Sequence, residues 1–269
     1  ANLLVEDYSS LWSKDNYNDA TNELIFLRRA TTTTNSFEGY NFPVGLENCK
    51  GGNCPTQTLV DAYEMKDSGL RPDELDNYDP ANPYYTNRDP RFYLTIAKTG
   101  YYLKKYCQTA VDLRAGTASK TYHSWITFRF GEFYLNYAEA VYKYLGSPYA
   151  TDNEFTTSAV DAIKVVRTRA EMPGFPQGMT NDAFWKKYQN ERMVELAFEG
   201  HRFWDVRRWK EGDKHFKNIV EMKITKNGDD TYTYERKVKE RSWDDKMYFF
   251  PIPQSEKSKN PNLEQNPGW

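Results

Sequence analysis

Beyond Tyr122 the hydrophobic pattern is helical. In "SWITFRFGEFYLNYAEAVYKYL" (residues 124–145), apolar side chains recur at Phe128, Leu135, Ala138, Tyr142 and Leu145, with Gly131 in the missing step; steps of three and four mark one helical face. Phe130, Tyr134 and Val141 add a second stripe, so this helix is expected to be covered on most sides. After the breaker "GSPYATDNE", Phe155, Ala159, Ala162, Ile163, Val166 and Ala170 repeat the pattern. Small residues on both segments (Gly131, Ala138, Ala159, Ala162) permit close approach, which predicts an antiparallel helix pair. A third helix is expected in "TNDAFWKKYQNERMVELAFEG", capped by Thr180 or Asn181 and ended by Gly200, with "RFWDVRRWKEG" as a short continuation. "NIVEMKITKNGDDTYTYERKV" predicts a β-hairpin turning at Asn227-Gly228. The tail "YFFPIPQSEKSKNPNLEQNPGW" is expected to be extended, because its prolines disfavour regular structure.

The first 122 residues read differently. Strand-like "ELIFL" and "FYLTIAK" and one short helix, "TLVDAYEMK", are separated by long turn-rich stretches. The fold class expected is mainly α with extensive loops: a loop-rich region over 1–122 that is the expected ligand-binding region, a helical scaffold over 123–216, and a hairpin with an extended tail over 217–269. The helix pair of the scaffold resembles a tetratricopeptide unit, which needs neighbours to bury its outer faces. Those neighbours are expected N-terminal to this segment, in a helical-repeat half that the 269 residues do not include.

Charge removes whole classes of function. A net charge of -2 offers no basic field to gather phosphates, so no nucleic-acid partner is expected. Mean hydropathy of -0.87 and the lack of a long apolar run exclude a membrane-spanning helix in this segment. The opening "ANLLVEDYSS" has no basic start, apolar stretch or cleavage site, so either the protein is not exported or its targeting end has been removed. The unusual feature is an aromatic content of 16%, with 21 tyrosines and 7 tryptophans in a polar chain. Such rings suit half-exposed surfaces that grip a ligand, or pack loops onto helices.

"ERMVELAFEGHRFWDVRRWK" (191–210) concentrates charge, a histidine and two tryptophans. Glu191, Arg192 and Glu195 stand three or four apart, spaced to pair along the helix or with Arg202, Asp205, Arg207 and Arg208. His201 has no nearby serine or cysteine to activate, and no second histidine at metal-ligand spacing. The stretch is therefore expected to be a structural clamp rather than a catalytic centre. Cys49 and Cys54 flank Gly51-Gly52 and could close a small disulfide loop or remain two free thiols; zinc is disfavoured because no histidine lies near them. Asp73, Asp76 and Asp79 offer calcium ligands but lack the alternating-oxygen loop pattern, so a solvated loop is expected, with no cofactor and no metal.

The same 191–210 stretch and the ending "YFFPIPQSEKSKNPNLEQNPGW" resemble hallmark segments of the SusD/RagB family of outer-membrane nutrient-binding lipoproteins of Bacteroidetes. "NCPTQTLVDAYEMKDSG", "NRDPRFYLTIAKTG" and "RFGEFYLNYAEAVYKY" extend the resemblance over Cys54 to Trp269. It implies a surface-exposed, lipid-anchored glycan binder, its anchor outside this segment, that acts as a lid on a SusC-like TonB-dependent transporter and hands oligosaccharide to it without catalysis. An exported setting would favour the Cys49–Cys54 disulfide.

A sugar ring stacks its C–H face on an aromatic face and needs amide, carboxylate or guanidinium groups for its hydroxyls. The first fifty residues match best: Trp12, Tyr17, Phe37, Tyr40 and Phe42, interleaved with Arg28, Arg29, Asn16, Asn18, Asn35 and Glu38. Trp12 and Tyr40 are the leading candidates and Tyr84 and Tyr85 the reserves. Two alternatives compete: a domain that binds only the transporter and has no sugar site, and a glycoside hydrolase fragment, which would need two carboxylates roughly 5 to 9.5 Å apart in a cleft.

Overall fold

Three helices form the scaffold: Phe130–Leu145, Ala159–Arg169 and Asn181–Glu195. They were traced in a computed structural model, which describes residues 3–20, 22–97, 102–229 and 231–269, without the side chains of Asn16 and Tyr17. The second helix starts at a serine cap, Ser158 Oγ accepting from Asp161 N, and the third at Thr180, whose Oγ1 accepts from Ala183 N. Leu135 and Ala138 of the first, Ile163 and Val166 of the second, and Phe184 and Tyr188 of the third meet in the largest core. Each such aliphatic side chain contributes about 1.5–3 kcal/mol by leaving water.

The third helix ends at Glu195, before the predicted stop, and Gly200 at φ 87° turns the chain into the short helix His201–Arg208. The first helix starts later than predicted. Trp125–Arg129 is a strand, antiparallel to Leu24–Arg28, with Phe26 opposite Phe128, Leu27 opposite Ile126 and Arg28 opposite Trp125. Ile126 and Arg129 of this aromatic and β-branched run are buried while Trp125, Thr127 and Phe128 face solvent, so Phe128 lies on an irregular strand and not on the helical face expected for it.

"FYLTIAK" likewise departs from expectation. Pro90–Thr95 is a helix with proline in its first turn and Asp89 as cap, and only Ile96–Ala97 is strand, paired with Tyr102–Leu103. The hairpin forms as Asn218–Lys226 against Tyr232–Glu240, and Asn227 N donates to Thr231 O to close the turn. It docks on the helix Gln57–Ala62 through Met222, Ile224 and an Arg236–Asp61 ion pair. The tail contains a 3-10 turn at Asp245–Tyr248 and a helix at Gln254–Lys259 just after Pro253, so its prolines bound regular structure instead of preventing it. Among the described residues no helix is long and apolar enough to cross a membrane.

Candidate functional site

The charged stretch of the third helix is buried, and its partners are distant in sequence. Glu191 accepts from Arg91 and Arg167, both at 2.6 Å. Glu195, with no solvent exposure, accepts from Arg91 at 2.8 Å, from Arg129 at 2.7 Å and from Arg169. Glu199 takes both Arg129 Nε and Nη2 at 2.8 Å and Lys105 Nζ at 2.8 Å. Glu23 binds Arg129 and Arg169, and Glu64 binds Arg167 and Lys187. Burial pushes the Glu195 carboxyl up, but the guanidinium groups of Arg169, Arg129 and Arg91 outweigh it and hold the group well below the ordinary carboxylate range. Gly131 is needed here: a Cβ would come within 2.1 Å of Arg129 Nη1 and 3.0 Å of Glu195 Oε1. The glycine thus makes room for the ion network, not for the neighbouring helix.

Only part of the expected local pairing occurs. Asp205 accepts from Arg192 and Arg208, and Arg208 also grips Glu139. These groups line a cavity of about 490 Å³ with Glu132, Lys143, His201 and the exposed Trp204. Glu139 also accepts from Tyr188 and Trp209 and Arg192 donates to Asn136, whereas Glu132 Oε2 has no hydrogen-bond partner and lies 3.8 Å from His201 Nε2.

The network is the root of an aromatic stack that reaches the surface. Lys105 Nζ lies 4.0 Å from the ring centre of Trp12. Trp12 meets Tyr106 edge-on at 4.8 Å, and Tyr106 stacks on Trp125 at 4.9 Å with 13° between planes. Tyr106 adopts φ 68°, an uncommon conformation for a large side chain, and is held there with rings on several sides. Trp125 is 45% exposed, and its cross-strand partner is Arg28, itself exposed. Tyr122 is also exposed, just past the Thr34–Thr121 bridge that ties this segment to the helix Ser36–Asn41. Buried Glu38 on that helix accepts from Gln108 N at 2.9 Å and lies 2.7 Å from His123 Nε2.

Tyr40 forms a second platform. The Lys50–Gly52 segment runs back along the helix end, with Lys50 N, Gly51 N and Gly52 N donating to Gly39 O, Phe42 O and Tyr40 O. The Tyr40 ring packs on Gly52, where a Cβ would come within 2.2 Å of it, and remains 49% exposed.

The expected site residues therefore separate. Tyr40 and Arg28 are exposed. Phe37 is half-buried against Tyr106 and His123, and Phe42 is half-buried in a cavity wall. Trp12 is a correction: at 7% exposure, inside the core with Tyr8 and Leu11, it supports a platform and cannot itself be one. The Tyr17 side chain lies outside the described residues. Of the reserves, Tyr84 stacks on Tyr78 and Tyr85 packs against Tyr234. The Cys49–Cys54 disulfide is also a correction. Both thiols are free, because the Lys50–Gly52 backbone bonds hold the loop open while Cys49 Sγ contacts Glu47 O and Cys54 Sγ contacts Gly51 O. Asp73 pairs with Arg71 and Asp79 caps its own turn, and the described residues hold no group of three or more side chains suited to a metal. Trp125, Tyr106 and Lys105 were missed from sequence; the out-in alternation of Trp125 and Ile126 was the available signal.

A family model described as the SusD family matches residues 22–99 and 97–269. The fold is similar to that of a SusD-like protein from Bacteroides fragilis NCTC 9343, with 26% identity, a TM-score of 0.78, and coverage of 100% of this chain and 58% of that one. A SusD-like carbohydrate binding protein from the same organism has 21% identity and a TM-score of 0.71, covering 98% of this chain and 58% of its own. A SusD superfamily protein from Bacteroides vulgatus ATCC 8482 has 18% identity and a TM-score of 0.61, with 99% and 55% covered. No curated protein matches the sequence. The 269 residues thus span 58% of the length of the first two relatives.

Proposed function

The chain belongs to the SusD family, and from that premise we propose that it captures oligosaccharide at the outer face of the cell and passes it to a TonB-dependent transporter. The observation that carries this reading is the Trp125 indole. It is exposed, flattened against Tyr106, and in cross-strand register with an exposed guanidinium. A rigid aromatic face beside a multiple hydrogen-bond donor suits a pyranose, whose C–H face stacks while its edge hydroxyls are bonded. Tyr40 supplies a second face. Arg28 flanks the first.

The function is binding without turnover. In the polar cavity below Trp204, Glu139 and Asp205 are committed to Arg208 and Arg192, and Glu139 sits below its ordinary range because hydrogen bonds from Arg208, Tyr188 and Trp209 outweigh the effect of burial. A glycosidase needs the opposite, a carboxyl kept protonated to act as general acid.

The test is native affinity electrophoresis through gels containing different polysaccharides, with reducing-end release followed in parallel. Retardation in at least one glycan that is reduced by Trp125→Ala, without release, supports the proposal. Release of reducing ends would replace it with a hydrolase. Complex formation with the transporter, without retardation in any glycan, would replace it with a pure interaction domain.

A further inference from the structure

A second cavity of about 490 Å³ opens beside the Tyr40 platform and has a different character from the first. Its walls include Phe42, Leu46, Tyr93, Ile96 and Leu103, with Lys104 as the charged member. An unsubstituted sugar fits such walls poorly, because each hydroxyl buried without a partner costs about 1–3 kcal/mol. The cavity is nevertheless tied to the platform through the backbone. Phe42 and Leu46 belong to the loop that follows Tyr40, and the Gly51–Asn53 segment joins the two: Gly52 supports the Tyr40 ring, while Asn53 O accepts from the backbone N–H of Leu103.

Resting on the glycan-binding reading above, we propose that this cavity receives an aromatic acyl ester carried by the captured glycan. Phe42 and Tyr93 provide aromatic walls for the ring. Tyr93 is fixed in place: its hydroxyl donates to Tyr85 O at 3.0 Å and accepts from Arg88 N at 3.2 Å. Cys107, whose thiol is pushed up to about 12 by burial, acts as an apolar wall and not as a nucleophile. Lys104 Nζ donates one hydrogen to Tyr93 O at 2.6 Å, which leaves two for an ester carbonyl or a ring hydroxyl. The sugar bearing the ester then lies toward Tyr40, and the cavity selects decorated over bare chains.

The experiment uses ethyl ferulate as the probe and ligand-observed NMR titration of the whole protein. We expect saturable binding with a Kd of about a millimolar, as suits so few heavy atoms. Leu46→Asp, which charges an exposed wall residue, and Thr109→Trp, which fills space at Thr109, another exposed lining residue, each weaken it tenfold or more. Trp125→Ala leaves it unchanged. Absence of saturable binding up to the solubility of the probe, or binding indifferent to both wall variants, overturns the inference and leaves the glycan reading to its own gel assay. Ester binding by a protein that no polysaccharide retards overturns the glycan reading, and with it the attachment of the ester to a glycan.

Discussion

Glu195→Gln is the most informative single change, because it alters charge with almost no change in shape. Glu195 is fully buried and accepts from three guanidinium groups, those of Arg91, Arg129 and Arg169. The amide keeps one acceptor but turns a donor toward those cations, leaving buried positive charge uncompensated. Breaking a buried ion pair from one side costs about 3–5 kcal/mol. For a chain of this size that corresponds to a drop of roughly 5–9 °C in Tm. Differential scanning calorimetry at pH 7 measures it, and circular dichroism during urea unfolding gives an independent value. The pH dependence has a definite sign. The folded carboxyl lies well below its ordinary value, so its contribution is fully present above pH about 4.5 and is lost as pH falls further. The gap between wild type and variant should be constant above that pH and close below it. A loss smaller than about 2 °C at pH 7 would refute the argument that this carboxylate holds the scaffold together.

Gly131→Ala should destabilise by about 1–3 kcal/mol despite its better helix propensity, since the methyl group meets Arg129 and Glu195; thermal melts decide this. Trp125→Ala should weaken retardation by the preferred polysaccharide about tenfold or more, as loss of a stacking face costs about 1–3 kcal/mol, while Trp204→Ala leaves it unchanged. Lys105 is driven down to about 8 by burial against an unfolded value of 10.5, so wild type should gain stability relative to Lys105→Met as pH rises from 8 to 10.5, by up to about 3 kcal/mol; paired urea titrations across that range measure the gap. With both loop thiols free, Cys54, the exposed one, should react with a thiol reagent in the native protein ahead of Cys107, and mass spectrometry of the labelled peptides reports the order.

The scaffold was legible because its helices carry their own signals: apolar steps of three and four, and the cap Thr180. The clamp in 191–210 was legible as a clamp but not in its partners. Spacing shows which charges can meet along a helix, whereas the pairing of Glu195 with Arg91, Arg129 and Arg169 depends on how separate segments pack. The same limit governs the candidate surface. Trp12 and Trp125 each stand between one polar and one apolar neighbour in sequence, and only the placement of Tyr106 between them makes one a support and the other a surface. Tyr40 stood out only as one aromatic among polar neighbours; its exposure rests on the helix Ser36–Asn41 and the Lys50–Gly52 return segment, which the turn-rich reading of this stretch did not anticipate.

The ion network also sets an order of events during synthesis. Arg91, Arg129, Arg167 and Arg169, the cations that end in the interior, all leave the ribosome before Glu191, Glu195 and Glu199 exist to receive them. Asp89, Glu23 and Glu64 are already present to pair with Arg91, Arg129, Arg169 and Arg167, but the network is complete only when those glutamates arrive, so the floor beneath Trp125 stays unfinished until then. The finished surface beneath Trp125 therefore forms late, once the helix that carries those glutamates has been made.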